Sequence, residues 1–175
     1  MAFDIITIAP TVSDGAHAAG DVVFNLTEFK IPSRACKIIN CFMEVSAGGG
    51  EDTTKFGLLF FQKNTTASLG TLNDSADISA ANFKANQYIG SAFLGLVNAN
   101  ASIDLDVIDN TALYYSIGPF GDTSPAAAGE GAPGSPVVLK GDAGSSSIFV
   151  GGVVHEGAPD LDGTDNVKIH IHVEY

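Results

Sequence analysis

At 175 residues and 18.0 kDa the chain has the length of one domain. Folding would bury about two-thirds of its unfolded surface, enough for a core that needs no metal or disulfide staple. Eight Lys and Arg against 20 Asp and Glu leave a formal net charge of -12, which all but excludes binding to nucleic acid or an anionic membrane through a basic patch. Charged residues are only 16% of the chain, where about 25% is usual, so the surface must be poor in charge.

The first predicted element is a strand over Phe3 to Ile8. The start of the chain carries Asp4 and lacks both a basic start and a long apolar stretch, so no secretory signal is expected. Strands follow at Asp21 to Leu26 and at Lys37 to Val45. Cys36, just before that run, and Cys41, within it, sit five apart, and simple alternation would aim them at opposite faces, which makes a disulfide between them an unfavourable arrangement. Ser46 to Thr54, with Gly48, Gly49 and Gly50, reads as a soft loop. Phe56 to Lys63 is the next strand. Asp77 to Asn86 is the one helix candidate, with Asp77 or Ser79 as cap ahead of Ala80, Ala81 and Phe83. Strands then recur at Ile89 to Val97, Ile103 to Ile108 and Thr111 to Ile117. Gly118 to Pro136, rich in Ala, Gly and Pro, predicts a long projecting loop. Val137 to Lys140 and Ser147 to Val154 are further strands. The clearest of all is the last, in which Val167, Ile169, Ile171, Val173 and Tyr175 alternate with Lys168, His170, His172 and Glu174. No window approaches the roughly 18 apolar residues of a membrane helix.

Many short strands bounded by Gly, Pro, Asn, Asp or Ser, with almost no helix between them, predict an all-β protein. The expected architecture is an antiparallel β-sandwich, a jelly roll or related Greek key, forming a single domain over 1–175 with at most one short helix.

Few residues suggest chemistry. Asp160, Asp162 and Asp165 surround Gly163 in a fragment of a calcium loop, so calcium is the one cofactor considered. A solvated turn is the preferred reading of the same stretch, because the full loop needs a Glu at a place held by Ile171. His170 and His172 share a strand face, a spacing that metal sites use, and His155 and Glu156 would join them only if the strand near Val153 pairs alongside. Asp104, Asp106 and Asp109 are explained by alternation, without a paired-carboxylate mechanism. The motifs of serine hydrolases, phosphate-binding loops, dinucleotide sites and zinc hydrolases are all missing, and no enzyme is expected. Sequons at Asn25, Asn64, Asn73 and Asn100 reflect a surface rich in Asn, Ser and Thr.

An acidic, charge-poor β domain rich in Ala, Gly, Ser and Thr suits a chain whose surface is covered by other subunits, since charged groups are depleted at interface cores. In size and texture the whole chain resembles the decoration, or cement, proteins of tailed-bacteriophage heads. That resemblance implies a homotrimer on the head exterior, made in the host cytoplasm, that clamps the major capsid protein without binding nucleic acid or membrane. The start, with Phe3, Ile5, Ile6 and Ile8, looks like a terminal strand that pairs with a neighbouring subunit's sheet edge; if that strand is exchanged or added, deleting Ala2 to Pro10 would spare the fold and abolish attachment or trimerisation. The alternative is a carbohydrate- or receptor-binding sandwich of a tail fibre, using the Asp160 turn and Tyr88, Tyr114 or Tyr115 as sugar platforms. A third class, an enzyme on a cupin-like barrel, would need metal on His155, His170 and His172.

Overall fold

The computed structural model describes residues 1–49, 54–65, 68–96, 107–108, 111–116, 137–161 and 167–175. In chain order the elements are β1 (Phe3–Ile8), β2 (Gly15–Ala16), β3 (Val22–Lys30), β4 (Ala35–Gly49), β5 (Lys55–Phe61), α1 (Ala80–Ala85), β6 (Tyr88–Leu96), β7 (Val107–Ile108), β8 (Thr111–Ser116), β9 (Val138–Lys140), β10 (Ser147–Glu156), β11 (Asp160–Leu161) and β12 (Val167–Glu174). The predicted strands reappear with shifted ends, the largest being four-residue extensions of β3 to Lys30 and of β4 to Gly49; of the strand predicted over Ile103 to Ile108, only Val107–Ile108 is among the described residues. The helix predicted within Asp77 to Asn86 is confined to Ala80–Ala85, and of the two candidate caps it uses Ser79, whose hydroxyl accepts from the Asn82 N–H.

The principal strands follow one path, β1-β12-β4-β8-β6-β5-β10-β3, with antiparallel neighbours throughout. Their pairings are nested. The first strand of this set pairs with the last (β1 with β12), and inside that pair β3 meets β10, β4 meets β8 and β5 meets β6. A double ribbon of this kind wraps on itself by laying β12 against β4 and β10 against β5. Nested pairing with that wrap is the jelly roll. It yields two layers, β1-β12-β4-β8 and β3-β10-β5-β6, whose inner side chains merge in one core.

Side-chain alternation explains which residues fill that core. On β12, Val167, Ile169, Ile171 and Val173 are buried, while Lys168 is exposed and His170, His172 and Glu174 are half-buried on the other face. β5 reads instead as a continuous apolar run, because both of its faces are covered. Phe56, Leu58 and Phe60 enter the main core, whereas Leu59 and Phe61 pack under residues 68–86, with Leu69, Leu72, Ile78 and Phe83. Asn25 fastens that cover: its side-chain amide donates to Gly70 O at 3.0 Å and its carbonyl oxygen accepts from Leu69 N at 2.7 Å. This Asn is therefore occupied within the fold.

One bulge decides the outer surface of the other layer. The β12–β4 register shifts between His172↔Asn40 and Val173↔Ile38, so Ile39 is an extra residue on β4. Alternation changes phase there, and Cys36, Ile38, Cys41, Met43 and Val45 all point inward. The expectation that Cys36 and Cys41 face opposite sides is corrected: both are buried and both are free thiols. Burial pushes the Cys36 thiol up to about 11 and raises Cys41 further. The thiolate is the reactive form, so both cysteines are expected to be silent to Ellman's reagent at pH 8 and to react once guanidinium unfolds the chain. Rapid labelling of the folded protein would contradict this packing.

The predicted loop at Ser46 to Thr54 is also corrected in its first half. β4 runs on through Gly49, pairing Ser46 with Thr111, Ala47 with Leu161 and Gly49 with Asp160. Glycines there cost backbone entropy, but ladder hydrogen bonds to β8 and β11 hold the course. The predicted loop at Gly118 to Pro136 lies outside the described residues.

Candidate functional site

The two layers differ in what covers them. Outside β3-β10-β5-β6 lies the segment 68–86, and the open edge of β3 is closed at its start, where Val22 N donates to Asp74 O and Asn73 N to Val22 O, each at 2.9 Å. Outside β1-β12-β4, no described element provides an equivalent cover. Phe3 is 66% exposed, Ile5 57% and Ile39 44%, and Val138, on β9 beside Lys37, is 52% exposed.

Each of these positions follows from the local backbone. β1 pairs with β12 from Phe3↔Glu174 to Ile8↔Ile169. Its inner residues grade from exposed Asp4 through half-buried Ile6 to buried Ile8, while Phe3, Ile5 and Thr7 look outward. Ile39 points outward because it is the bulged residue. Phe3, Asp4, Ile5, Ile39, His172 and Val173 line an open groove of about 510 Å³. Of the sequence-predicted interface residues, the structure brings Phe3 and Ile5 to this surface. Ile6 packs against the core and Ile8 is part of it.

Beside the groove lies an aromatic row. Phe42 stacks on His170, with centroids 4.4 Å apart, and meets His172 edge-on at 5.5 Å. His170 places Nδ1 3.1 Å from Thr7 Oγ1, tying β1 to β12, and Nε2 3.3 Å from Glu44 Oε1. Lys168 Nζ lies 3.9 Å from the other oxygen of Glu44. The two histidines thus share a face as predicted, with Phe42 packed between them as a ring partner. His155 does not join them. β10 pairs with β3 and β5 in the opposite layer, and the His155 ring packs on Phe93 at 4.8 Å.

Asp160 is exposed on β11, opposite Ala16 and Gly49. Asp162 and Asp165, the other predicted calcium ligands, lie outside the described residues, as do Asp104, Asp106 and Asp109. Among the described residues no three His, Cys, Asp or Glu side chains gather as a metal-holding group. Tyr88 is 40% exposed and packs on Phe83 at 4.7 Å and Phe61 at 5.6 Å. Tyr114 and Tyr115 sit on β8 in register with Met43 and Phe42.

Sequence reasoning missed two polar constellations. His17 is buried, with Nδ1 2.9 Å from Gly15 O and Nε2 3.1 Å from Ser13 Oγ. A carbonyl partner requires the hydrogen on Nδ1, so Nε2 accepts from the Ser13 hydroxyl. All the partners come from one short turn, whose backbone is anchored where His17 N donates to Pro159 O at 2.8 Å. The arrangement is a turn staple, and only its close sequence spacing hinted at it. The second group joins β3 to β10: Lys30 and Ser147 both donate to Glu28, Ser147 at 2.7 Å, and Lys30 also donates to Ser147. These bonds hold the Glu28 carboxyl below the usual carboxylate range. Ser147 spends its hydroxyl hydrogen on a carboxylate at an exposed site, which makes the trio a surface staple rather than an activated nucleophile.

No known protein family matches the chain, and no curated protein or solved structure shows significant similarity to it.

Proposed function

We propose that this chain is a structural virion protein, a capsid decoration or cement protein that self-associates and stabilises a phage head shell from outside. The observation that carries the reading is the apolar outer surface around the groove, where Phe3, Ile5 and Ile39 face water in a chain with few charged residues. Contiguous exposed apolar surface of this kind marks protein contact. Jelly rolls serve in viral capsids as well as in lectins, which agrees with the reading by analogy of fold alone.

The work of such a protein is linkage. Binding only the expanded shell lowers the free energy of that state by the binding energy of every copy, with no turnover. The major capsid protein is the proposed partner, and the groove and its apolar rim are the proposed contact.

Purified head shells lacking decoration test this directly. The protein should pellet with them at saturating stoichiometry and raise their melting temperature, and Ile39→Ser should weaken binding at least tenfold while leaving the free protein's own melting temperature nearly unchanged. Absence from the pellet at tens of micromolar removes the reading. The second reading, a carbohydrate-binding module, has one favourable observation in the exposed Tyr88 ring backed by Phe83, since exposed aromatic faces suit sugars. Glycan-array binding abolished by Tyr88→Ala would favour it.

A further inference from the structure

We infer that the outer edge of β1 is a self-recognition element that pairs antiparallel with β1 of a second copy about a two-fold axis. This goes beyond the shell-binding reading and does not depend on it.

The backbone supplies the first argument. Ala2 and Tyr175 exchange both backbone hydrogen bonds, Ala2 N to Tyr175 O at 2.9 Å and Tyr175 N to Ala2 O at 3.0 Å. In an antiparallel ladder such pairs alternate, so Ala2, Asp4, Ile6 and Ile8 bond to β12, while Phe3, Ile5 and Thr7 aim their N–H and C=O groups away from the sheet. β1 ends the strand path, and its other neighbour position is taken by no described strand. The opposite end of the path is different, because the start of β3 is bonded to residues 72–75. The β3 edge is closed at its start, whereas no described strand pairs with the outer edge of β1, which offers a template.

The side chains supply the second. Along the open edge Phe3 and Ile5 are large, apolar and mostly exposed, with Ile39 and the groove just behind them. Symmetry makes the strand its own complement. Pairing centred on Ile5 sets Ile5 against Ile5 of the other copy and Phe3 against Thr7, and places Asp4 opposite Ile6. Centring on Asp4 would oppose two carboxylates, which is unfavourable. One six-residue strand is a short contact beside the roughly 20–30 residues a side of a standard interface, so association is expected to be reversible and dependent on protein concentration.

The third argument is the cap already on the edge. Asp4 Oδ1 accepts from Ile5 N at 2.8 Å. This carboxylate occupies a donor that the second strand needs, and it must turn away for pairing. Its removal should therefore strengthen association, whereas a residue that merely supports β1 would have no such effect.

Sedimentation velocity of the full chain between about 5 and 500 µM tests the inference. Wild type should show reversible growth from the 18.0 kDa chain to twice that mass. Ile5→Lys should weaken association at least tenfold, and Asp4→Ala should tighten it about threefold or more. Ile5→Cys should be linked to a dimer by a short bis-maleimide, while Val138→Cys, three strands away, should stay unlinked. A monomer at all concentrations, a mass of three chains, an unchanged Ile5→Lys, or equal linking at Val138 each overturns the two-fold pairing. Shell binding is measured separately, so either idea can fail alone.

Discussion

Gly152→Ala should lower stability by about 2–3 kcal/mol, the usual cost of forcing an extra group into a packed core, and so depress the melting temperature by about 5–10 °C for a chain of this size. Gly152 sits at register shifts of β10 against β3, and its missing side chain leaves room for the Phe24 ring. A Cβ built there would come within 2.1 Å of Phe24 Cε1 and 2.6 Å of Cζ. The ring has nowhere to go, because Phe24 is fully buried in the main core. A third ring atom, Cδ1, lies at 2.7 Å; leucine lacks the two nearest of these three atoms, so Phe24→Leu in the Gly152→Ala background should recover part of the loss even though it is destabilising alone. The double-mutant cycle should show a coupling of about 1 kcal/mol or more. Differential scanning calorimetry of the four proteins checks it, and additive melting shifts would mean that glycine serves only the backbone of the bulge.

That site shows what was legible in the sequence and what was hidden. Period-two alternation exposed β12, because it has one face buried and one wetter, whereas β1 was marked by its apolar, β-branched composition although only Ile8 of its inner side is buried. The nested pairing was not legible, since strand order depends on contacts between segments far apart in the chain, such as Phe3 with Glu174. Bulges were invisible for a sharper reason. An extra residue such as Ile39 leaves the local composition unchanged and merely shifts the phase of alternation, so Cys36 and Cys41 looked opposed although both enter the core. The same shift turned Ile39 outward and built the back wall of the groove. β5 is the reverse case: Phe56 to Phe61 looked like a plain apolar strand, and only the cover formed by 68–86 explains why both of its faces are greasy.

The candidate surface was half legible. Phe3 and Ile5 were picked out as terminal-strand residues, and they do face water. Ile6 and Ile8 were grouped with them because sequence adjacency does not report that β1 descends into the core along its length. The His170–His172 pair was readable from spacing, but Phe42 lies between them only because the β12–β4 register sets His170 opposite that residue. The polar staple at Glu28 gave no pattern, because β3–β10 pairing creates its proximity to Ser147, and the one at His17 showed only in the close spacing of Ser13, Gly15 and His17.

Deleting residues 2–10 should cost the fold itself, contrary to the expectation that β1 is dispensable. The deletion removes the whole β1–β12 ladder and withdraws Ile8 from the core. Burial of one such side chain contributes about 2 kcal/mol, and each net backbone hydrogen bond adds about 1 kcal/mol, so a loss above about 4 kcal/mol is expected. β12 would become the new open edge, with the buried Ile169, Ile171 and Val173 uncovered on one side. Denaturant titration should show the truncated protein unfolding well below wild type, with dye-detectable apolar surface and concentration-dependent aggregation in buffer. Ile5→Lys, at an exposed outward position, should by contrast stay within about 0.5 kcal/mol of wild type. The two variants separate the two roles of β1: its inner and β12-facing side builds the domain, and its outer side, paired with no described strand, carries the proposed recognition. If the deletion left the unfolding midpoint unchanged, β1 could not be a strand of its own domain and would have to be exchanged with a neighbouring copy.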